Sequence, residues 1–207
     1  LNKPLSATTV FDAAVWDDAL TTDNVSPNPS LVEAGGTVIE ADDLAVDRAV
    51  DYLRDAGISL VFERHLPGTL LDGAALASAD HHAIVAMTLR HDRLDNFWFT
   101  LLHEIGHLKL HIRLGEYAAI FDDNDAPAVD EVEQEADYFA QEALIPEAHW
   151  NQAVSRFTRS EKSVMADAKR FGVAPAVIAG RIRRDANNYT LFRTLVGNGE
   201  VRRQFDI

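Results

Sequence analysis

The 207-residue chain has no cysteine. Disulfides, thiolate metal sites and a cysteine nucleophile are therefore excluded, and a reducing, cytoplasmic compartment fits the composition. Basic residues are scarce: 19 Lys and Arg face 33 Asp and Glu, a formal net charge of -14. Such a chain as a whole does not grip nucleic acid phosphates. No apolar run approaches the roughly 20 residues that a membrane helix needs. The opening LNKPLSATTV has no apolar core of the kind a signal peptide carries, and it has no initiating Met. The missing Met fits an excerpt or a processed piece, with something upstream missing. With 47% hydrophobic and 25% charged residues, what is present reads as an ordinary globular protein.

The charge is unevenly spread. Residues 151–207 carry 11 Lys and Arg against 5 Asp and Glu, a net of +6, whereas residues 1–150 carry 8 against 28, a net of -20. The change of character falls near Pro146. Three parts follow: residues 1–41, partly loop, with the Pro- and Ser-bearing TTDNVSPNPS; residues 42–146; and a basic helical region, 147–207, packed on them.

Leu44, Ala45, Ala49, Val50, Tyr52 and Leu53 make an apolar stripe that predicts a helix over about 42–56, ended by Gly57. GISLVFE (57–63), LLDGAALAS (70–78) and AIVAMTL (83–89) read as strands, the last two joined by a bend at ADHH (79–82). Together they predict a small antiparallel sheet over residues 57–89, with AIVAMTL as an edge along which an extended peptide could lie. From Asp95, Phe97, Leu101, Ile105 and Leu108 recur at helical spacing. Residues 112–128 read as acidic loop, 129–144 as a second long helix, and 147–196 as three or four shorter ones. The class is α+β.

The sharpest feature is His103-Glu104-Ile105-Gly106-His107, an H-E-x-x-H. Two histidines four apart stand on one helix face, about 6 Å apart along the axis. Both imidazoles can converge on one tetrahedral Zn²⁺. Glu104 points about 100° round the helix, toward a water rather than the ion, which suits a general base. The bland alternative, two surface histidines, fits poorly with the apolar segment DNFWFTLLHEIGHLKLH, because buried imidazoles need partners. A third ligand must come from elsewhere. His111 on the same straight helix lies about 12 Å from His103 by rise, so it reads as a helix-end residue favoured by the dipole. In VDEVEQEADYFAQEALIP (129–146), Glu133 and Asp137 share a face. Glu133 is the candidate ligand, with Asp137 able to accept a hydrogen bond from the far nitrogen of a ligand histidine. Glu135 is the competing ligand, and a solvated acidic face is the alternative for all of these carboxylates. His81, His82, Arg90 and Tyr138 are candidates by type for an oxyanion partner.

TLLHEIGHLKLH (100–111) followed by EQEADYFAQEALIP (133–146) resembles the ImmA/IrrE family of metallopeptidases, and so does the stretch from HLPGTLLDGAALAS to AIVAMTLRHDRLDNFWFT. The resemblance covers residues 42–146, about half of the chain. It implies a zincin-like fold and a gluzincin-like H-E-x-x-H…E site, with His103, His107 and Glu133 as zinc ligands and Glu104 as general base. It further implies a regulatory, cytoplasmic endopeptidase whose protein substrate is a helix-turn-helix repressor of mobile elements or stress genes, often beside toxin–antitoxin genes. Many relatives carry an N-terminal Xre-type helix-turn-helix domain on the same chain, and loss of such a domain is the expectation here. DNA could then be bound through that domain or through the basic tail. SEKSVMADAKRFGVAPAVIAGRIRR (160–184) itself reads as helix, Gly172 turn, helix, with Arg181, Arg183 and Arg184 closing the second. The competing reading makes that pair a cap, with Ala174, Val177, Ile178 and Ile182 in the core. Two rival functions stand beside the peptidase: a non-catalytic regulator or antitoxin that uses the scaffold to sense a ligand or partner, and a purely structural domain.

Overall fold

Gly57, at φ +78°, takes the left-handed conformation that closes the first described helix, α1 (Val46–Asp55), with its N–H on the Arg54 carbonyl. The computed structural model describes residues 46–65, 68–78, 82–113, 118–121 and 131–205. The sequence reading of residues 1–41, the start of the first helix at 42–45, most of the ADHH bend and nearly all of FDDNDAPA lie outside them. Val46, Ala49 and Leu53 form the buried stripe of α1.

Strand β1 (Ile58–Phe62) follows, then β2 (Gly73–Ala77) and β3 (Ala83–Met87). The last two form the expected antiparallel pair, closed by Ser78 N–H donating to the His82 carbonyl at 2.9 Å. The sheet as a whole is not antiparallel, and this corrects the sequence reading. β1 pairs parallel with β3, and a fourth strand, β4 (Ala118–Phe121), pairs antiparallel with β2, giving the order β1-β3-β2-β4. The connection after β1 carries the chain past a vacant lane to β2, and the hairpin returns β3 into that lane. β3 is therefore interior and cannot add a substrate strand; β1 and β4 are the outer strands of the described sheet. β3 alternates, burying Ala83, Val85 and Met87.

Helix α2 (Leu94–Leu110) is buried along most of its length, with Phe97, Trp98 and every residue from Thr100 to His107 out of solvent. A helix enclosed on all sides must be apolar nearly all round. Among the polar side chains buried along it, the ionisable trio His103, Glu104 and His107 on adjoining turns needs a chemical account. α3 (Glu131–Leu144) crosses α2 closely at Gly106, where an added β-carbon would sit 3.2 Å from Ala136 Cα and 3.2 Å from the Phe139 ring.

Four helices follow: α4 (Glu147–Trp150), α5 (Ser155–Thr158), α6 (Glu161–Phe171) and α7 (Pro175–Asp185), with α8 (Glu200–Phe205) last. Ser160 and Ser163 cap α6 reciprocally, Gly172 ends it at φ +68°, and Pro175 starts α7. The helix–turn–helix pair thus exists, and its second helix is turned inward. Val177, Ile178 and Ile182 are buried in the same core as Leu101 and Ile105 of α2. Arg183 bonds Asp95 at 3.0 Å and the Tyr189 carbonyl at 2.8 Å, and Arg181 lies over Trp150. α8 returns to α1 and β1. Val46 N–H donates to Gln204 Oε1 at 2.6 Å, and the Phe62 and Phe205 ring centroids are 4.3 Å apart. No described helix is long and apolar enough to cross a membrane.

Candidate metal centre

His103 and His107 lie one turn apart on the enclosed stretch of α2, and the Gly106–Ala136 crossing draws α3 against that face. Glu133, one turn before Ala136, is thereby brought to both rings. Its Oε2 is 3.1 Å from His103 Nε2, its Oε1 is 3.4 Å from His107 Nε2, and the two Nε2 atoms are 3.0 Å apart. Donor atoms arranged tetrahedrally at about 2.05 Å from one ion stand about 3.3 Å from each other. The spacing of these three groups therefore fits a single small divalent cation, and they are the set of His and acidic side chains, among the described residues, close enough to share one.

The far nitrogens of both rings are engaged. Asp137 Oδ1 is 3.1 Å from His103 Nδ1, and its other oxygen pairs with Arg184. Burial raises the Asp137 carboxyl, but the hydrogen bond with His103 and the charge and bond of Arg184 outweigh it and hold the group below the usual carboxylate range. A carboxylate only accepts, so His103 donates through Nδ1, and Nε2, the atom that faces Glu133, is the one that would meet a metal. His107 Nδ1 is 3.0 Å from His111 Nδ1, and His111 Nε2 is 3.0 Å from Glu135 Oε2. Donation from His107 to His111, and from His111 to Glu135, leaves a lone pair on His107 Nε2. Burial, with the nearby His103 and His111, depresses His107 to about 4, so its imidazole is neutral at pH 7. Two imidazoles and a carboxylate form the donor set that suits Zn²⁺.

Glu104 is fully buried and packs against strand β2. There Gly73 lets the backbone close in, since a β-carbon at 73 would meet Glu104 Oε1 at 2.3 Å. Glu135, the rival ligand, is the exposed partner of His111 instead. His111 caps the C-terminus of α2, where the sequence put it, and adds the contact with His107. The other candidates by type are occupied differently. Arg90 grips Asp72 through two bonds of 2.8 and 3.2 Å, His82 Nε2 meets Ser59 Oγ at 2.8 Å, and Tyr138 is exposed. His81 lies outside the described residues. The packing roles of Gly73 and Gly106, and the reach of Arg184, were missed in the sequence. A glycine within a buried helix and another opening a strand were the only signals available for the first two.

No curated protein matches the chain. The family model described as Peptidase M78, IrrE N-terminal-like domain, matches residues 70–183. That span starts just before β2, takes in the α2 and α3 residues of the centre, and ends within α7. Matching more than half of the sequence and agreeing with a zincin-like α+β fold, it makes this chain a member of the ImmA/IrrE family of metallopeptidases.

Proposed function

We propose that the protein is a zinc-dependent metallo-endopeptidase in which His103, His107 and Glu133 hold the metal, Glu104 is the general base and Asp137 fixes the His103 ring. The observation that carries this reading is the mutual spacing of 3.0–3.4 Å among His103 Nε2, His107 Nε2 and the Glu133 carboxylate. When bound, a zinc ion supplies Lewis acidity, polarising the scissile carbonyl and lowering the pKa of a water. The chain's own residues do the rest. Glu104 takes the proton from the attacking water onto its carboxylate and delivers it to the departing amine nitrogen, so that one water is consumed and one amide bond broken. Its enclosure between α2 and β2 fixes where that proton is held.

The substrate we propose is a helix-turn-helix repressor or antitoxin-like protein, so that cleavage releases gene expression in the cytoplasm. The family membership supports a protein substrate, and the resemblance supports this class. In this reading residues 147–207 cap the 42–146 part through their shared core, and the arginines of α7 serve that junction rather than DNA. The test is to incubate the zinc-loaded protein with repressors encoded beside its gene and to look for fragments by mass spectrometry. Wild type should cleave, and E104Q should retain zinc and not cleave. Cleavage by E104Q at the wild-type rate refutes the role of Glu104. A zinc-loaded wild type that leaves every such repressor intact but alters its DNA binding favours the non-catalytic regulator.

A further inference from the structure

The geometry points to Arg184 as a positioning residue for the metal centre, acting from α7 through Asp137 on His103. The inference rests on the metal reading above and adds a third helix to it. Arg184 stands 47 residues beyond Asp137 in sequence, yet its Nη2 meets Asp137 Oδ2 while Oδ1 of the same carboxylate takes His103 Nδ1 at 3.1 Å. The guanidinium is held from a second side. Its Cζ lies 4.2 Å from the centre of the Phe99 ring, and Phe99 sits one turn before His103 with the ring centroids 6.1 Å apart. A guanidinium held over one ring and bonded to one carboxylate oxygen restrains Asp137, whose other oxygen meets His103.

The base of this arm is rigid. α7 is anchored on α2 by the buried Arg183–Asp95 pair and by Gly180, where a β-carbon would approach Asp95 Cβ to 2.8 Å. Ile178 and Ile182 are buried beside them. The Arg184 and Asp137 side chains keep about a third of their surface in solvent (33% and 32%). A pair so exposed adds little to folding stability. Its effect falls instead on the ring it orients, because partners that fix a ligand imidazole contribute strongly to metal affinity. Lysine cannot reproduce the arrangement, since an ammonium carries the charge but not the planar guanidinium that lies over Phe99.

The test measures zinc affinity of the full chain by competition with a chelating dye, and the visible spectrum after Co²⁺ substitution, for wild type, R184M, R184K and H103A. R184M should bind zinc about 10- to 100-fold more weakly and alter the Co²⁺ bands, while its metal-free melting temperature stays near that of wild type. R184K should recover only part of the affinity. Wild-type affinity and spectrum in R184M, with zinc binding lost in H103A, overturn the role of Arg184 and leave the metal reading intact. Should R184M fail to fold, wild-type affinity and spectrum in R184K overturn that role equally. A wild-type protein that binds no zinc overturns both.

Discussion

Gly73 and Glu104 are in such close contact that one methyl group cannot be placed between them: a β-carbon on the glycine would lie 2.3 Å from Oε1 and 2.8 Å from Cδ and Cγ of the glutamate. The strand backbone is thus one wall of the pocket that holds the proposed base. Replacing Gly73 with Ala forces the carboxyl away from its seat, while the three proposed ligands, none of which the added carbon would meet, keep theirs. The expected result is unchanged zinc affinity with kcat/KM on a peptide substrate lowered about 100-fold, within the range by which a positioned base accelerates proton transfer. Zinc titration and kinetics on the same sample check it, and a G73A variant as fast as wild type refutes it.

Behind His107 stands His111, and behind His111 the exposed Glu135. H111F removes the acceptor of His107 Nδ1 and should weaken zinc binding about 10-fold or more. E135Q keeps a hydrogen-bonding oxygen on an exposed side chain and should change the affinity by less than about 2-fold. Isothermal titration distinguishes them, and equal effects of the two substitutions contradict the ordering.

At Gly106 the constraint is backbone against helix. A valine there would push against Ala136 Cα and the Phe139 ring, both within 3.3 Å of its β-carbon. Overpacking of this kind costs about 1–3 kcal/mol. Because the same crossing brings Glu133 to the two histidines, G106V should lose stability in urea and zinc affinity together. Loss of stability alone would show that the crossing does not set the centre.

The buried pair of Arg183 and Asp95, 3.0 Å apart, ties α7 to the start of α2. R183M strands a carboxylate that is almost fully enclosed, and removing one partner of such a pair typically costs about 3–5 kcal/mol. Arg93 also contacts Asp95, at 2.8 Å, so the expected loss is at the lower end, about 3 kcal/mol. Equilibrium unfolding in urea measures it.

How much of this was legible in the sequence depends on the range of the interaction. The i, i+4 spacing of His103 and His107, and again of Glu133 and Asp137, is a local property of helices. It put each pair on one face, and the structure brings both pairs to one place, with Asp137 beside His103. The choice between Glu133 and Glu135 followed from the same angular reasoning. Pairing between strands has no such local code. The parallel register of β1 with β3 depends on which lane the chain skips, and nothing in GISLVFE marks it. β4 is four residues, AAIF, in an acidic stretch, too short for alternation to show, and its pairing with β2 is long-range. The arginines at 181, 183 and 184 looked like a basic face because composition reports charge and not its direction. Their partners, Trp150, Asp95 and Asp137, are 31 to 88 residues away.

The seam between α1 and α8 has a temporal consequence. Val46 and Phe62 meet Gln204 and Phe205, so a nascent chain emerging at roughly 5–20 residues per second makes α1 and β1 many seconds before α8 exists. During that interval an aromatic side chain of β1 lacks its cover, which arrives only when α8, about 140 residues further along, has been made.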